Sequence, residues 1–219
     1  TLFPYTTLFR SRFHVPNYET WSFFTKIFKG YTTTAAVVLY CPCILYYVFI
    51  FLLLLCGLRK NSPAKIIVSS LPCIESLGIY IIGSEYFVEY PDFGHGMPDI
   101  RALYHGNETM VFVLLSIGIV ISVFFAIIAS QDSLEKILIL LFLSGVAFAS
   151  RIVMGFSATI FGSSFRTFTY LLFLLMADSV FLIRELFLED RKYLTVFCSF
   201  IVILAIISYA DGFQSVVFM

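Results

Sequence analysis

Three ionisable residues interrupt stretches that are otherwise apolar: Glu75 within Ile66 to Gly83, Arg151 within Ile137 to Ser157, and Asp178 within Thr167 to Leu186. A charge at the centre of a bilayer costs about 2.5 to 3.5 kcal/mol on insertion scales, so a chain that keeps one there pairs it or uses it. The densest chemistry lies between Ser150 and Thr167, where Arg151 and Arg166 bracket a cluster of Gly, Ser and Thr that includes Ser163 and Ser164. Two guanidinium groups flanking hydroxyls and flexible backbone can hold a phosphate or carboxylate bidentately. The competing reading is a membrane loop whose arginines snorkel to lipid headgroups. Neither reading assigns a catalytic residue.

Two further constellations carry less. Cys41-Pro42-Cys43 resembles the intramembrane metal-binding motif of heavy-metal pumps, but no phosphorylated-aspartate motif or nucleotide domain accompanies it. Both thiols are better read as small apolar packing groups, and no metal site is assigned. His95 and His105, with Asp92 and Asp99, fit no compact zinc spacing and read as solvated loop residues. The sequon Asn107-Glu108-Thr109 abuts an apolar stretch and carries no weight, and the chain has no Gly-rich phosphate loop, nucleophile elbow or HExxH.

Composition fixes the class that must position these residues. Of the 219 residues 60% are hydrophobic and 13% charged, with a mean hydropathy of +0.95, against about 25% charged in soluble domains. An all-helical integral membrane bundle is therefore expected, surrounded by membrane lipids. Fourteen basic and fourteen acidic residues cancel, and no basic run appears, which sets nucleic acid aside as a partner. The five cysteines all lie in apolar stretches, where disulfides are not expected.

Spans are expected at about 34–58, 66–83, 109–130, 137–157, 167–186 and 193–210, each near the roughly 20 apolar residues that cross about 30 Å of hydrocarbon. Pro72 and Glu75 weaken the second. Residues 12–33 form an expected interfacial segment, with Trp21, Phe24, Ile27 and Phe28 on one helical face and Lys26 and Lys29 toward another. Residues 1–11 have the sequence of a translated sequencing adapter and are expected to be non-native, which makes the chain the expected C-terminal part of a larger polytopic protein. Arg59, Lys60, Lys65, Lys136, Arg184, Arg191 and Lys192 fall in alternate loops and set one face as cytoplasmic. The acidic loop between Gly83 and Thr109 is then extracytoplasmic. Counted at 1.5 Å per residue from that cytoplasmic face, Arg151, Glu75 and Asp178 stand at roughly 21, 15 and 12 Å, so Arg151 and Asp178, with Glu75 as a third member, are expected to meet near the bilayer midplane.

The stretch from Arg151 to Thr167 and the helix after it resemble the late helices of a large bacterial polytopic family of unknown function, itself similar to O-antigen glucosyltransferases and other membrane glycosyltransferases of the GT-C type. The resemblance extends over roughly residues 35–210, with Ala158 standing where the family carries a proline. It implies a protein of the bacterial cytoplasmic membrane engaged in cell-envelope glycan synthesis. Such a protein would use a polyprenyl-phosphate-linked sugar at the extracytoplasmic face, with Arg151 and Arg166 at the donor phosphate or acceptor sugar. The family's catalytic acidic residue, and the carboxylates that hold its divalent metal, would lie in the missing N-terminal part, so the cofactor is unknown from the residues present. Two alternatives stay open: a transporter or flippase with Glu75, Arg151 and Asp178 as a polar path, and a non-enzymatic membrane protein whose charges only fix helix packing.

Overall fold

The computed structural model describes residues 18–40, 44–60, 62–86, 108–157, 168–189 and 192–204. Residues 1–17, the Cys41-Pro42-Cys43 motif, Asn107, His95, His105, Asp92, Asp99, Ala158, Ser163, Ser164, Arg166 and Arg191 lie outside them. The described residues are all-α. After a 3-10 turn at Tyr18–Thr20 come α1 (Phe23–Tyr40), α2 (Ile44–Leu58), α3 (Pro63–Tyr86), α4 (Glu108–Ser130), α5 (Leu134–Met154) and α6 (Thr169–Glu189), followed by α7 (Lys192–Leu204). No strand occurs among the described residues.

Each boundary has a local cause. Ser22 caps α1, its Oγ accepting from the Thr25 N–H at 3.2 Å. α3 runs through Pro72, whose ring removes one hydrogen bond but does not end the helix. Ser133 occupies the cap position of α5 in extended backbone, without a side-chain capping bond. The last turn of α5 tightens as Gly155, Phe156 and Ser157 donate to the carbonyls of Ile152, Val153 and Met154.

Over the expected first span 34–58 the described residues give α1 up to Tyr40 and α2 from Ile44, and α1 begins well inside the expected interfacial segment. The Tyr47 hydroxyl of α2 donates back to the Leu39 carbonyl of α1 at 3.2 Å.

α2 carries no charge and is apolar on every side, which suits a central element. It packs against α3, α4 and α6, and Leu52, Leu53 and Cys56 are wholly buried. Gly57 permits the α2–α3 contact, since a Cβ there would collide with the Ser69 side chain. α5 pairs with α6 on one side and with α1 on the other.

The connections gather charge at one end. Lys60 and Lys65, flanking the α2–α3 turn, both pair with Asp132 in the α4–α5 turn, Lys65 at 3.1 Å, and Lys136 at the start of α5 pairs with Glu185 near the end of α6. The start of α1 lies at the opposite end, where Phe23 meets Phe156 at 5.2 Å between ring centroids.

Among the described residues two helical segments are long and apolar enough to cross a membrane, Val113–Ser130 in α4 and Leu134–Met154, while α2 and α7 are apolar but shorter. Apolar side chains fill the core and also cover much of the outside, while several polar side chains lie within. Large apolar groups such as Leu114, Phe125, Leu138, Phe142, Phe173 and Ile81 face outward, whereas Ser69, Ser76, Ser116, Ser144, Arg151 and Asp178 are buried. Several inward hydroxyls satisfy themselves on their own helix: Ser116, Ser122 and Ser130 each donate to the carbonyl three residues earlier at 2.9 Å.

Candidate functional site around Arg151

Arg151 occupies the last turn of α5, where the helix's C-terminal carbonyls favour a cation. It is placed by a close backbone contact between α1 and α5. Gly30 of α1 meets the Ile152 backbone, where a Cβ would stand 2.5 Å from the carbonyl oxygen, and Gly155 meets the Lys26 carbonyl with no room for a Cβ at all. Small residues allow this backbone approach, as they do wherever helices pack tightly. One turn beyond Gly30, Thr34 donates to the Gly30 carbonyl at 2.7 Å, which leaves its oxygen lone pairs facing α5. The Arg151 Nε–H donates to that oxygen at 3.4 Å, at the long limit of a hydrogen bond.

The guanidinium also lies over the Phe168 ring, 3.7 Å from its centroid, a cation–π contact with the residue that leads into α6. Arg151 thus bridges the two flanks of the undescribed 158–167 segment and reaches back to α1. It is only 1% exposed, and its Nη1 is buried without a hydrogen-bond partner. A guanidinium has five N–H donors, so one long bond and one aromatic face leave it far from satisfied. No carboxylate compensates it among the described residues.

The expected meeting of Arg151 with Asp178 does not occur. Asp178, wholly buried on α6, accepts from the Ser144 hydroxyl at 2.8 Å, and its Oδ1 has no partner. Ser144 stands seven residues before Arg151 on α5, so the two charges are separated by about 10 Å along the bundle axis. Depth counting placed both near the midplane, but it gives neither azimuth nor helix tilt. Glu75 sits apart again: its Oε2 is buried without a partner, while the adjacent Ser76 pairs with the Tyr46 hydroxyl at 2.8 Å across the α2–α3 contact. No protein-family model, curated protein or solved structure matches the chain. The site is therefore read from its own atoms.

Thr34 also lines a cleft of mainly apolar walls between α1, α2, α4 and α5, with Val38, Ile119, Val123 and Phe148. Tyr31 and Ser116, bonded to each other at 2.9 Å, lie on its rim. Among the described residues no group of three or more His, Cys, Asp or Glu side chains could hold a metal ion. Sequence reasoning missed Thr34, Phe168, Gly30 and Gly155. Gly30 and Gly155 stand 125 residues apart, and neither belongs to a repeated small-residue motif that could have marked it.

Proposed function

We propose that this chain is a six-span integral membrane bundle of the bacterial cytoplasmic membrane that takes part in cell-envelope glycan synthesis. In this reading a sugar is transferred from a polyprenyl-phosphate donor at the extracytoplasmic face, and Arg151 contacts the donor phosphate. The membrane half rests on the many large apolar side chains on the outside of the bundle and the two long apolar helices. α2, about 22 Å long, needs part of α1 to complete its crossing, and α3 to α7 supply the other five. Lys60, Lys65 and Lys136 at one end support a cytoplasmic placement of that end and an extracytoplasmic one of the Arg151 end, which itself carries Lys26 and Lys29.

The observation that carries the functional half is the buried guanidinium. A desolvated cation without an acid costs several kcal/mol, so an anion supplied from outside the described chain is the natural complement. Arg166, which the resemblance to GT-C-type enzymes pairs with Arg151, and the hydroxyls of Ser163 and Ser164 follow within fifteen residues in the sequence as further candidate donors. The test is envelope glycan synthesis by the full-length protein carrying Arg151→Lys or Arg166→Lys, with abundance in the membrane as control. A point charge cannot reproduce a planar fork, so synthesis should be lost while abundance is kept. Normal synthesis by both variants would reduce the arginines to headgroup anchors.

A transporter or flippase is the second reading. It is favoured by one feature: Arg151, Asp178 and Glu75 each keep a buried, unpartnered polar atom. Loss of lipid or solute export in Arg151→Lys with sugar transfer intact would favour it.

A further inference from the structure

We propose that Asp178 is a proton-binding site and that the packed bundle holds it as the neutral acid. The inference does not rest on the glycan reading. Asp178 is wholly buried at the α5–α6 contact, with Leu171, Leu175 and Leu182 of its own helix and Leu140 and Ala147 of α5 buried in the same core. Its carboxyl accepts one hydrogen bond, from Ser144 to Oδ2, and Oδ1 has none. An ionised carboxylate with a single neutral donor in such surroundings is strongly disfavoured, and a buried group in that position neutralises instead.

No cation on the neighbouring elements does the neutralising. α6 packs against α5 and α2, and α7, whose Phe197 joins the same core, carries Lys192, Tyr193 and Cys198 as its titratable groups, Lys192 and Tyr193 at its start, three residues after the end of α6. On α5, Arg151 is held by Thr34 and Phe168 about 10 Å above Ser144, and Lys136 is paired with Glu185 about 12 Å below it. Glu135 lies further down still. α2 carries no charged residue, only the titratable Tyr46, Tyr47 and Cys56. On α6 itself, Arg184 and Glu185 are nearly two turns away, toward the basic end.

A metal cation fits poorly. Sodium or calcium needs several oxygen ligands, and the bonded polar neighbour here is one serine. A proton needs only one site. Binding takes one proton from water onto Oδ1 and cancels one negative charge. The resulting O–H can then donate to the carbonyl one turn earlier, the bond that Ser179 already makes to the Leu175 carbonyl at 2.7 Å. Ser144 continues to donate to Oδ2, so the neutral acid uses both of its oxygens.

The experiment is infrared spectroscopy of the purified, lipid-reconstituted protein at neutral pH, with aspartate carbon-13 labelled. A protonated-carboxyl stretch should be present, absent in Asp178→Asn, and shifted to higher frequency in Ser144→Ala, which removes its hydrogen bond. If Asp178→Asn does not fold, the Ser144→Ala shift alone decides, because among the described residues Asp178 is the aspartate bonded to Ser144. In parallel, the thermal midpoint of the wild type should fall as pH rises through the neutral range, because the folded state binds the extra proton, and Asp178→Asn should lose that fall while keeping the acid-side slope of the Lys60–Asp132–Lys65 cluster. A neutral-pH spectrum without a protonated aspartate band sensitive to either substitution would overturn the proposal. Stabilisation by sodium rather than by protons would do the same.

Discussion

Replacing Arg151 and Asp178 singly and together separates two physical pictures of this bundle. Were the charges an ion pair, removing either partner would strand the other in a medium that cannot solvate it, at about 3–5 kcal/mol, and the double substitution would recover much of that loss. The structure puts them about 10 Å apart along the axis, Arg151 against Thr34 and Phe168, Asp178 against Ser144. Sites more than 7–10 Å apart without shared partners add to within about 0.3–0.5 kcal/mol. Arg151→Ala leaves a cavity beside Phe168 and relieves a desolvated cation, whereas Asp178→Ala leaves the Ser144 hydroxyl without its acceptor. Neither change touches the other's contacts. We expect Arg151→Ala, Asp178→Ala and the double variant to form an additive cycle in thermal unfolding of detergent-purified protein, with membrane abundance following the same order. A double variant more stable than either single one, by more than about 1 kcal/mol, would refute the geometry and restore the pair.

Gly30→Ala and Gly155→Ala should each force α1 and α5 apart by about 1 Å or more, destabilise by about 1–3 kcal/mol and break the long Arg151–Thr34 bond. Thermal unfolding checks this, and a neutral effect at both sites would contradict the backbone contact. Ser76→Ala leaves the buried Tyr46 hydroxyl without its partner and should cost about 1–3 kcal/mol, with Tyr46→Phe in the same background returning part of it. At the basic end, hydrogen bonds from Lys60 and Lys65 hold the Asp132 carboxyl below the usual carboxylate range. Its contribution is present above that range and lost as pH falls through the lowered value. Because Asp132 is two-thirds exposed, Asp132→Asn should cost under about 1 kcal/mol and remove only that acid-side slope of a stability–pH profile.

Much of the helical layout was legible in the sequence because apolar runs bounded by turn residues are a local signal. The expected segments at 66–83, 109–130, 137–157 and 167–186 correspond to α3, α4, α5 and α6, whose ends differ by a few residues. The expected segment at 34–58 takes in the end of α1 and the whole of α2, with Cys41-Pro42-Cys43 outside the described residues. Arg151 and Asp178 stood out as interrupting charges, and the structure leaves each with an unpartnered atom. Their partners did not stand out. Thr34 and Ser144 are ordinary helix hydroxyls until tertiary packing aims them, and Phe168 is one of 26 phenylalanines. Pairing across helices depends on rotation and tilt, which residue counts along a helix do not carry.

The claim on which the rest depends is that the outward apolar face meets lipid. Nitroxide spin labels at Phe125→Cys on α4 and Phe142→Cys on α5, positions 55% and 69% exposed, report their surroundings directly in lipid-reconstituted protein. A label at Ser22→Cys, before α1, gives the water-facing reference, in a background without the native cysteines. Labels at 125 and 142 should relax strongly with dissolved oxygen and barely with a water-soluble nickel chelate, with the reverse at 22. Strong nickel relaxation at 125 and 142 would place that face in water and contradict the membrane bundle.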